Sequence, residues 1–315
     1  MLAALCWVTN LSEGSLSGQP PPVAYSTMLL KLFLNCRPWN AASWASLVIL
    51  GWATALGKIV PLEFLINFII LGFFSVLLNG FSFAVNNVFD IEEDRRAGKK
   101  SNLVATNEVS ARWAIVFSLI VGTVSTAFFA YACGLEGALL SLACLTLGIL
   151  YSAPPFRLKE KPFLDVLSHG LFLGSFLVLL GAYFQGGIPN NTTYAYALAF
   201  FFISCIFQLQ NMLGDYVFDS DAGIKTSIVR LGSLKRGRIA SSIFILAGIA
   251  ATLASVWRFS LDWLPLSVLL FIQVLNFLLI QPKTPVYVVY VYQKRVQPYL
   301  MVCWGVILLL VTLAL

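Results

Sequence analysis

Charged side chains are scarce in this sequence. Only 11% of its 315 residues are Asp, Glu, Lys or Arg, whereas 59% are hydrophobic and the mean hydropathy is +0.86. Apolar stretches of about 20 residues, which match the hydrocarbon thickness of a bilayer, recur along the chain. This composition excludes a soluble domain and predicts an all-α integral membrane protein whose solvent is the lipid bilayer.

Histidine and paired cysteines are also lacking. The chain has one histidine, His169, and six scattered cysteines without a C-x-x-C pair, so the spacing of a zinc or thiol redox site is absent. We interpret the cysteines as small hydrophobic residues. The net charge of +6 is explained by membrane topology, and no nucleic-acid partner is implied.

Apolar windows predict nine transmembrane helices. With nine crossings, the N-terminus and every second loop share one face, and only Lys58 and Arg258 of the 20 Lys and Arg residues fall on the other. Cationic residues concentrate in short cytoplasmic loops, so we expect a cytoplasmic N-terminus and a C-terminus on the opposite side. The windows lie near residues 38–57, 65–89, 112–133, 136–151, 164–184, 194–214, 239–259, 262–281 and 298–315.

The predicted domain organisation is simple. Residues 1–30, which include a Gly- and Ser-rich stretch and a run of three prolines, are predicted to form a flexible N-terminal tail. Residues 31–315 are predicted to form a single transmembrane domain. Within it, residues 86–100 and 211–225 form an internal repeat with a constant offset of 125 residues.

The repeated motif is acidic. Its first copy is Asn86-x-x-x-Asp90-x-x-x-Asp94 and its second is Asn211-x-x-x-Asp215-x-x-x-Asp219, each at the cytoplasmic end of a predicted helix. A four-residue spacing advances an α-helix by roughly 400°, so each triplet is predicted to share one helix face, spread over about 80°. Carboxylates one turn apart repel each other unless a cation bridges them.

These carboxylates are candidate metal ligands. Oxygen ligands suit Mg²⁺ or Mn²⁺ rather than zinc, and Mg²⁺ commonly combines one or two carboxylates with phosphate oxygens. Alternatively, the acids pair with neighbouring cations such as Lys99 and Lys225 in solvated loops. Because both copies have the same spacing and lie on the same predicted membrane face, the sequence favours metal binding over pairing with loop cations. The solvated-loop interpretation is kept for the acids outside this face, Glu92, Glu93 and Asp221.

A third polar segment lies between the copies on the same predicted face. It runs Tyr151-Ser152-Ala153-Pro154-Pro155-Phe156-Arg157-Leu158-Lys159-Glu160-Lys161. Three cations within five residues, beside a stiff proline pair, indicate a clamp for phosphate oxygens. The positive-inside rule alone would also place cations here, and Tyr151 and Ser152 could equally be interfacial residues.

Together these features resemble the UbiA-type intramembrane prenyltransferases over nearly the whole chain. The resemblance rests on the nine spans, both Asp motifs, the Tyr-Ser-x-Pro-Pro loop and Gly223-x-x-Thr226. One departure is Asn87, where many members carry Asp. The resemblance implies a nine-helix bundle around a central cavity. It also implies two Mg²⁺ ions, with Mn²⁺ as an alternative, that hold the diphosphate of an isoprenyl donor.

The resemblance also implies roles for individual residues. The metal ligands, which are the catalytic residues, would be Asp90, Asp94, Asp215 and Asp219. Arg37 would neutralise diphosphate oxygens, although it could instead be an interfacial anchor. The remaining substrate-binding residues would be Asn86, Asn211, Tyr151, Ser152, Arg157 and Lys159.

The charges that develop when the isoprenyl donor is cleaved suggest the mechanism. Heterolysis of the allylic C–O bond places charge on diphosphate, where metals and cations stabilise it. An interior rich in aromatic residues, with 25 Phe, 11 Tyr and 8 Trp in the chain, can shield the allylic cation from water. His169, Tyr151 and Asp94 are competing candidates for the base that removes a proton from the product.

The resemblance leaves the hydrophobic acceptor open among quinone precursors, homogentisate, chlorophyllide, haem, archaeal lipids and the carotenoid lycopene. A different class of function is a non-catalytic carrier or transporter of a phosphorylated lipid. Transport sites lie near the bilayer midplane, whereas both Asp motifs lie toward one predicted interface. The sequence therefore favours an enzyme.

Overall fold

The computed structural model describes residues 25–56, 61–221, 223–259 and 263–314. Within these ranges the secondary structure is helical and contains no β-strand. Two π-helical turns, Leu171–Ser175 and Tyr292–Val296, connect α6 to α7 and α13 to α14. The helices are α1 (Tyr25–Asn35), α2 (Pro38–Ala55), α3 (Pro61–Phe89), α4 (Ile91–Arg96), α5 (Ala111–Ser152), α6 (Leu164–Gly170), α7 (Phe176–Ala182), α8 (Asn191–Gly214), α9 (Tyr216–Asp221), α10 (Ser227–Arg230), α11 (Leu234–Phe259), α12 (Trp263–Leu279), α13 (Val286–Val291) and α14 (Gln297–Ala314).

Several of these helices match the dimensions of a bilayer. A shorter apolar helix, α12, accompanies them, and α2, an 18-residue helix outside this group, is buried along most of its length. Within the described ranges, six helical stretches are long and apolar enough to cross a membrane: Pro61–Phe89, Ala111–Ser152, Leu164–Ala182, Asn191–Gly214, Leu234–Arg258 and Val286–Ala314.

The longest helix, α5, is a hairpin of two helical halves. Gly134 leaves helical geometry with φ 67° and ψ −152°. A Cβ added at Gly137 would lie 2.3 Å from the carbonyl oxygen of Phe129, whereas residues eight apart on a straight helix are separated by about 12 Å. Gly122 likewise approaches Leu145 from the other half. The chain therefore reverses at Gly134, where the positive φ suits glycine.

Helix α2 is the central element of the bundle. It crosses α7 so closely that a Cβ added at Gly51 would lie 1.9 Å from the Val178 carbonyl oxygen, and one added at Gly181 would lie 1.8 Å from that of Val48. Small residues let helix backbones approach in this way, and in lipid such packing is a main source of helix association. The α2–α7 crossing therefore depends on two glycines.

Other helices surround α2. Trp44 of α2 contacts Phe207 of α8 with ring centroids 6.1 Å apart, and Trp39 lies 5.6 Å from Tyr299 of α14. Gly305 of α14 packs against Ser46. The last long helix thus lies against the first, and α2 links the helices that lead to both acidic motifs.

Two predicted boundaries differ from the structure. Residues 25–30 of the expected tail belong to α1, because Leu32 and Asn35 of this helix are buried against the segment that follows α3, while residues 1–24 lie outside the described residues. The final helical stretch begins at Val286 rather than near 298, because the apolar run Val286–Val291 continues through a π-turn into α14.

The α2–α7 crossing gives a stability prediction. Gly181→Ala should destabilise the protein by about 1–3 kcal/mol or more, because the added methyl group meets backbone rather than a movable side chain. Gly72→Ala is the matched control, since its Cβ would meet only Ile49 Cδ1 at 3.6 Å and should gain up to about 1 kcal/mol of helix propensity. Thermal unfolding in detergent measures both, and equal melting temperatures would contradict the close crossing.

Candidate active site

The two acidic motifs adopt the same backbone conformation. Helix α3 ends at Phe89, Asp90 leaves helical geometry (φ −107°, ψ 18°), and the short helix α4 follows. Helix α8 ends at Gly214, Asp215 does the same (φ −87°, ψ 1°), and α9 follows. In both copies the amide of the second Asp donates to the carbonyl oxygen of the first, at 2.8 and 2.9 Å.

The equivalence continues into the loops. Gly98 and Gly223 both have positive φ, 64° and 72°. The amide of Lys99 donates to the Asp94 carbonyl oxygen, and the amide of Ile224 donates to that of Asp219. The sequence repeat is therefore also a structural repeat, in which a long helix ends at an Asp and a glycine closes the following short turn.

The break at each first Asp corrects the prediction of one continuous helix face. A continuous helix would place Asn86, Asp90 and Asp94 on one face. Because the helix is interrupted at Asp90, the two carboxylates of the first motif contact different cations. Glu93, predicted to be solvated, turns inward instead and accepts from Lys159 at 2.8 Å and from Arg157.

Asp90 is almost fully buried and has several donors. Lys159 Nζ lies 2.5 Å from Asp90 Oδ1, and Asn86 Nδ2 donates to Oδ2 at 2.7 Å. The same Asn86 amide also donates to Ser152 at 3.2 Å, while Arg157 approaches Asp90 at 3.7 Å. The predicted cation loop thus folds onto the first acidic motif.

Asp94 has a separate group of donors. Lys99 pairs with Oδ1 at 2.8 Å, Asn102 donates to Oδ2 at 2.9 Å, and Arg37 lies 3.8 Å away. Burial raises the pKa of Asp94, but the nearby lysine, amide and guanidinium outweigh it and lower the pKa below its ordinary value. Asn102 was missed in the sequence because a single loop amide carries no distinguishing pattern.

Asn87 explains the departure from the family pattern. Its side-chain oxygen accepts from Arg37, and its Nδ2 donates to the main-chain oxygen of Asn35 at 2.8 Å. A carboxylate at this position has no N–H to donate to Asn35. The amide therefore holds Arg37 and the end of α1 together.

The second motif is less fully neutralised. Lys294 Nζ donates to Asn211 Oδ1 at 2.6 Å and pairs with Asp215 Oδ2 at 3.0 Å. Among the described residues, Asp219 has no ion pair within 4.0 Å. Burial and the charge of Asp215 raise the pKa of Asp219 to about 7, while Lys99 and two other lysines act in the opposite direction. The sequence gives no signal for Lys294, because residues 282–297 lie between two predicted transmembrane windows.

The two motifs share one electrostatic environment. Burial lowers the pKa of Lys99, but Asp94 from the first motif and Asp215 from the second together outweigh it and raise the pKa above the ordinary value. Lys99 and Lys159 of the first half likewise act on Asp219 of the second. Cations of one half therefore influence carboxylates of the other, as expected if both motifs face a common site.

A stripe of polar residues leads from this site into the bundle. Ser204, Gln208 and Asn211 recur at i, i+4 and i+7 on one face of α8, and Asp215 follows directly at the end of this helix. Gln208 donates to the Tyr151 hydroxyl at 2.7 Å, and Ser204 contacts His169 Nδ1 at 2.9 Å. Ser204 and Asp215 are separated by roughly 16 Å along the helix axis.

His169 lies at the inner end of this stripe within an aromatic wall. Its ring is 5.5 Å from Trp44 and 5.8 Å from Phe172, measured between centroids. Phe172 in turn lies 6.0 Å from Tyr151. An aromatic wall of this kind favours an apolar or cationic carbon centre over a hydrated one.

The donor atoms of the site fit a hard divalent cation. The predicted ligands Asp90, Asp94, Asp215 and Asp219 offer oxygen only, which suits Mg²⁺. Within the described ranges, no three Asp, Glu, His or Cys side chains converge as a preformed protein cage would require. Mg²⁺ sites that borrow phosphate oxygens need no such cage. Among described contacts, Arg37 Nε is buried without a hydrogen-bond partner, so a donor is left for an anion.

Comparison with known proteins agrees with this geometry. The model of the UbiA prenyltransferase family matches residues 46–286. The chain is 28% identical over 189 residues to a lycopene elongase/hydratase of Corynebacterium glutamicum, covering 57% of this chain and 63% of that protein. It is 30% identical over 227 residues to a lycopene elongase/hydratase of Haloferax volcanii, covering 70% of this chain and 72% of that protein.

A solved structure shows the same fold. The structure of a UbiA homolog from Archaeoglobus fulgidus bound to GPP and Mg²⁺ superposes with a TM-score of 0.69 at 18% identity, covering 90% of this chain and all of that one. The long apolar helices make the chain a multi-pass integral membrane protein. With a family match over most of its length, this chain belongs to the UbiA prenyltransferase family.

Proposed function

We propose that this protein transfers a prenyl group from an isoprenyl diphosphate to a lipophilic acceptor inside the membrane, with Mg²⁺ as cofactor and release of diphosphate. The observation that carries the proposal is the structural repeat of the acidic motif, in which two long helices end at an Asp and a positive-φ glycine closes each following turn. Two such half-sites facing one cavity fit a ligand with two phosphates and two metal ions. Mn²⁺ has the same oxygen preference and is expected to substitute.

We further propose nine membrane crossings by a single domain, residues 31–315, with both acidic motifs on the cytoplasmic side. The reversal of α5 at Gly134 supports this count, because it divides one 42-residue helix into two segments of membrane-spanning length. The concentration of Lys and Arg beside the motifs supports the orientation. The N-terminus would then be cytoplasmic and the C-terminus would lie on the other side.

Donor binding would rearrange the ion pairs of the site. Asp90, Asp94, Asp215 and Asp219 would hold the metal ions, whose charge stabilises the diphosphate. The cations that these acids hold in the structure would then be free to bind phosphate oxygens. The side chains in question are Lys159, Lys99, Arg157 and Arg37, with Asn86, Asn211, Tyr151 and Ser152 beside them.

The allylic group would extend along the α8 stripe toward the aromatic wall. There Trp44 and Phe172 exclude water and offer ring faces to the developing cation. The acceptor carbon would attack the allylic carbon at this wall, and the C–O bond to diphosphate would break. The attack leaves a proton on the product that a base must remove.

We propose His169 as that base. Ser204 donates its hydroxyl proton to the His169 carbonyl oxygen at 3.0 Å, so its oxygen accepts from Nδ1–H, and the lone pair of the ring resides on Nε2. Asp94 is occupied by Lys99 and Asn102. The Tyr151 hydroxyl accepts a hydrogen bond from Gln208. A tyrosine hydroxyl keeps its proton at neutral pH and is therefore a poor base.

The relatives suggest the acceptor class. Both relatives described above are lycopene elongase/hydratases, so we propose a carotenoid-type polyene as acceptor in preference to homogentisate, chlorophyllide or a quinone precursor. A polyene needs no charged anchor, which agrees with the aromatic lining around His169. A transporter is disfavoured, because both acidic motifs lie at helix ends rather than in the middle of helices.

Reaction with a labelled donor tests this proposal. Purified protein in detergent with Mg²⁺, dimethylallyl or geranyl diphosphate and lycopene should release pyrophosphate and form a prenylated product, and EDTA should abolish both. Asp90→Ala and Asp215→Ala should each lower turnover by about 100-fold or more, as expected when charge stabilisation of the leaving group is removed. Asp221→Asn, an exposed acid on the same short helix as Asp219, is the control that should retain activity. Full turnover in Asp90→Ala would refute the assignment.

The base assignment has its own test. His169→Ala should lower kcat by about 100-fold while the KM for the donor changes little, because general-base catalysis contributes this much and the diphosphate is bound elsewhere. Ser204→Ala should cause a smaller loss, since it only orients the ring. Steady-state kinetics over donor concentration separates the two parameters. A kcat within twofold of the unmodified protein would rule out His169 as the base.

A further inference from the structure

The last long helix brings a lysine to the second acidic motif. Lys294 lies in the π-turn Tyr292–Val296, within the apolar stretch Val286–Ala314. A cation in such a stretch is costly and indicates a specific partner. A π-turn inside an α-helix is often found at a functional position.

The partners of Lys294 are the first two residues of the second motif. Its Nζ donates to Asn211 Oδ1 at 2.6 Å and to Asp215 Oδ2 at 3.0 Å, and it lies 5.8 Å from the centroid of the Tyr290 ring. The side chain is 32% exposed, so it borders an accessible space. A Cβ added at Gly214 would lie 3.3 Å from Tyr290 Cα, which shows how closely α13 approaches the end of α8.

The first half of the chain contains an equivalent arrangement. There Lys159 pairs with Asp90 while Asn86 contacts the same carboxylate. Asp215 and Asp90 are separated by 125 residues, and Lys294 and Lys159 by 135, so both lysines follow their motif at similar distances along the chain. Each half therefore supplies an Asn-x-x-x-Asp pair and a lysine that faces it.

We propose that Lys294 is the diphosphate-binding cation of the second half-site, and that without donor it occupies the place beside Asp215 that a divalent cation takes when donor binds. This inference rests on the proposed function. It adds that the second motif exchanges a protein cation for a metal ion, after which the released Nζ binds a phosphate oxygen. No covalent bond changes in this exchange.

The physical reason for the exchange is charge balance. Asp215 is 9% exposed, so its charge needs a partner at every stage. Lys294 supplies that partner when the site lacks metal, and it competes with metal for the same oxygens. Once diphosphate enters, its negative charge offers the lysine a new partner. The lysine should therefore weaken metal binding alone and strengthen the binding of metal and diphosphate together.

Binding measurements on the full-length protein in detergent test this inference without using turnover. Mn²⁺ binding is measured by electron paramagnetic resonance without pyrophosphate, and pyrophosphate binding by calorimetry at saturating Mn²⁺. In Lys294→Met, Mn²⁺ should bind about tenfold more tightly and pyrophosphate about tenfold more weakly, the size expected for one charge-assisted hydrogen bond. Arg295→Met, one residue away in the same π-turn, should match the unmodified protein in both.

Lys294→Arg separates a binding role from a structural one. It keeps the charge and should restore pyrophosphate affinity to within about threefold of the unmodified protein. If either constant of Lys294→Met is unchanged, or if Mn²⁺ binds more weakly in that variant, Lys294 is a structural ion pair and the inference is overturned. If the unmodified protein binds neither Mn²⁺ nor pyrophosphate, the proposed function itself fails, and this pattern differs from a failure confined to Lys294.

Discussion

Buried carboxylates in an apolar chain require compensating charge, and this requirement organises the functional half of the molecule. Asp90, Asp94 and Asp215 are each less than 10% exposed, and each is met by a lysine from a different segment. Removing an unpaired carboxylate from water costs several kcal/mol, so these pairings hold loops that would otherwise be solvated against the helix ends. The cation loop after α5, the turn after α4 and the last long helix are thereby drawn to one place. In the proposed function, these ion pairs would be exchanged for contacts with a metal and a diphosphate.

The membrane-embedded half depends on a different interaction. Lipid offers no hydrophobic drive for helix association, so helices associate through close backbone contact at small residues. Gly51 and Gly181 permit the crossing of α2 and α7, and Gly305 permits the contact of α14 with Ser46 of α2. These crossings position Trp44 and His169 in one aromatic wall. Ion pairing at the helix ends and glycine packing along the helices therefore act on separate parts of the proposed site, the part assigned to the diphosphate and the part assigned to the hydrocarbon chain.

The repeat gives the site an approximate internal symmetry, but its halves are not equivalent. In the first half, both carboxylates and Glu93 have cationic partners. In the second, Lys294 serves Asp215 while Asp219 has no ion pair among the described residues. Arg37 and Asn87 also belong to the first half alone. In the proposed function, this unequal pair of half-sites would hold a symmetric diphosphate. The first half would supply most of the protein cations, and the second would depend more on metal.

The sequence by itself determined the solvent, the helical class, the acidic repeat and its candidate chemistry, because hydropathy and spacing are local properties that do not depend on how helices pack. It also identified the cation loop at Arg157 and Lys159 through its density of charge. Only the tertiary structure decided which cation meets which acid, since Lys159 and Asp90 are 69 residues apart and Lys294 and Asp215 are 79 apart. It also decided the break at Asp90, which turned Glu93 inward against a periodicity argument that assumed a continuous helix. Spacing along a chain predicts neighbours one turn away, whereas charge pairing between helices is set by the way the bundle closes.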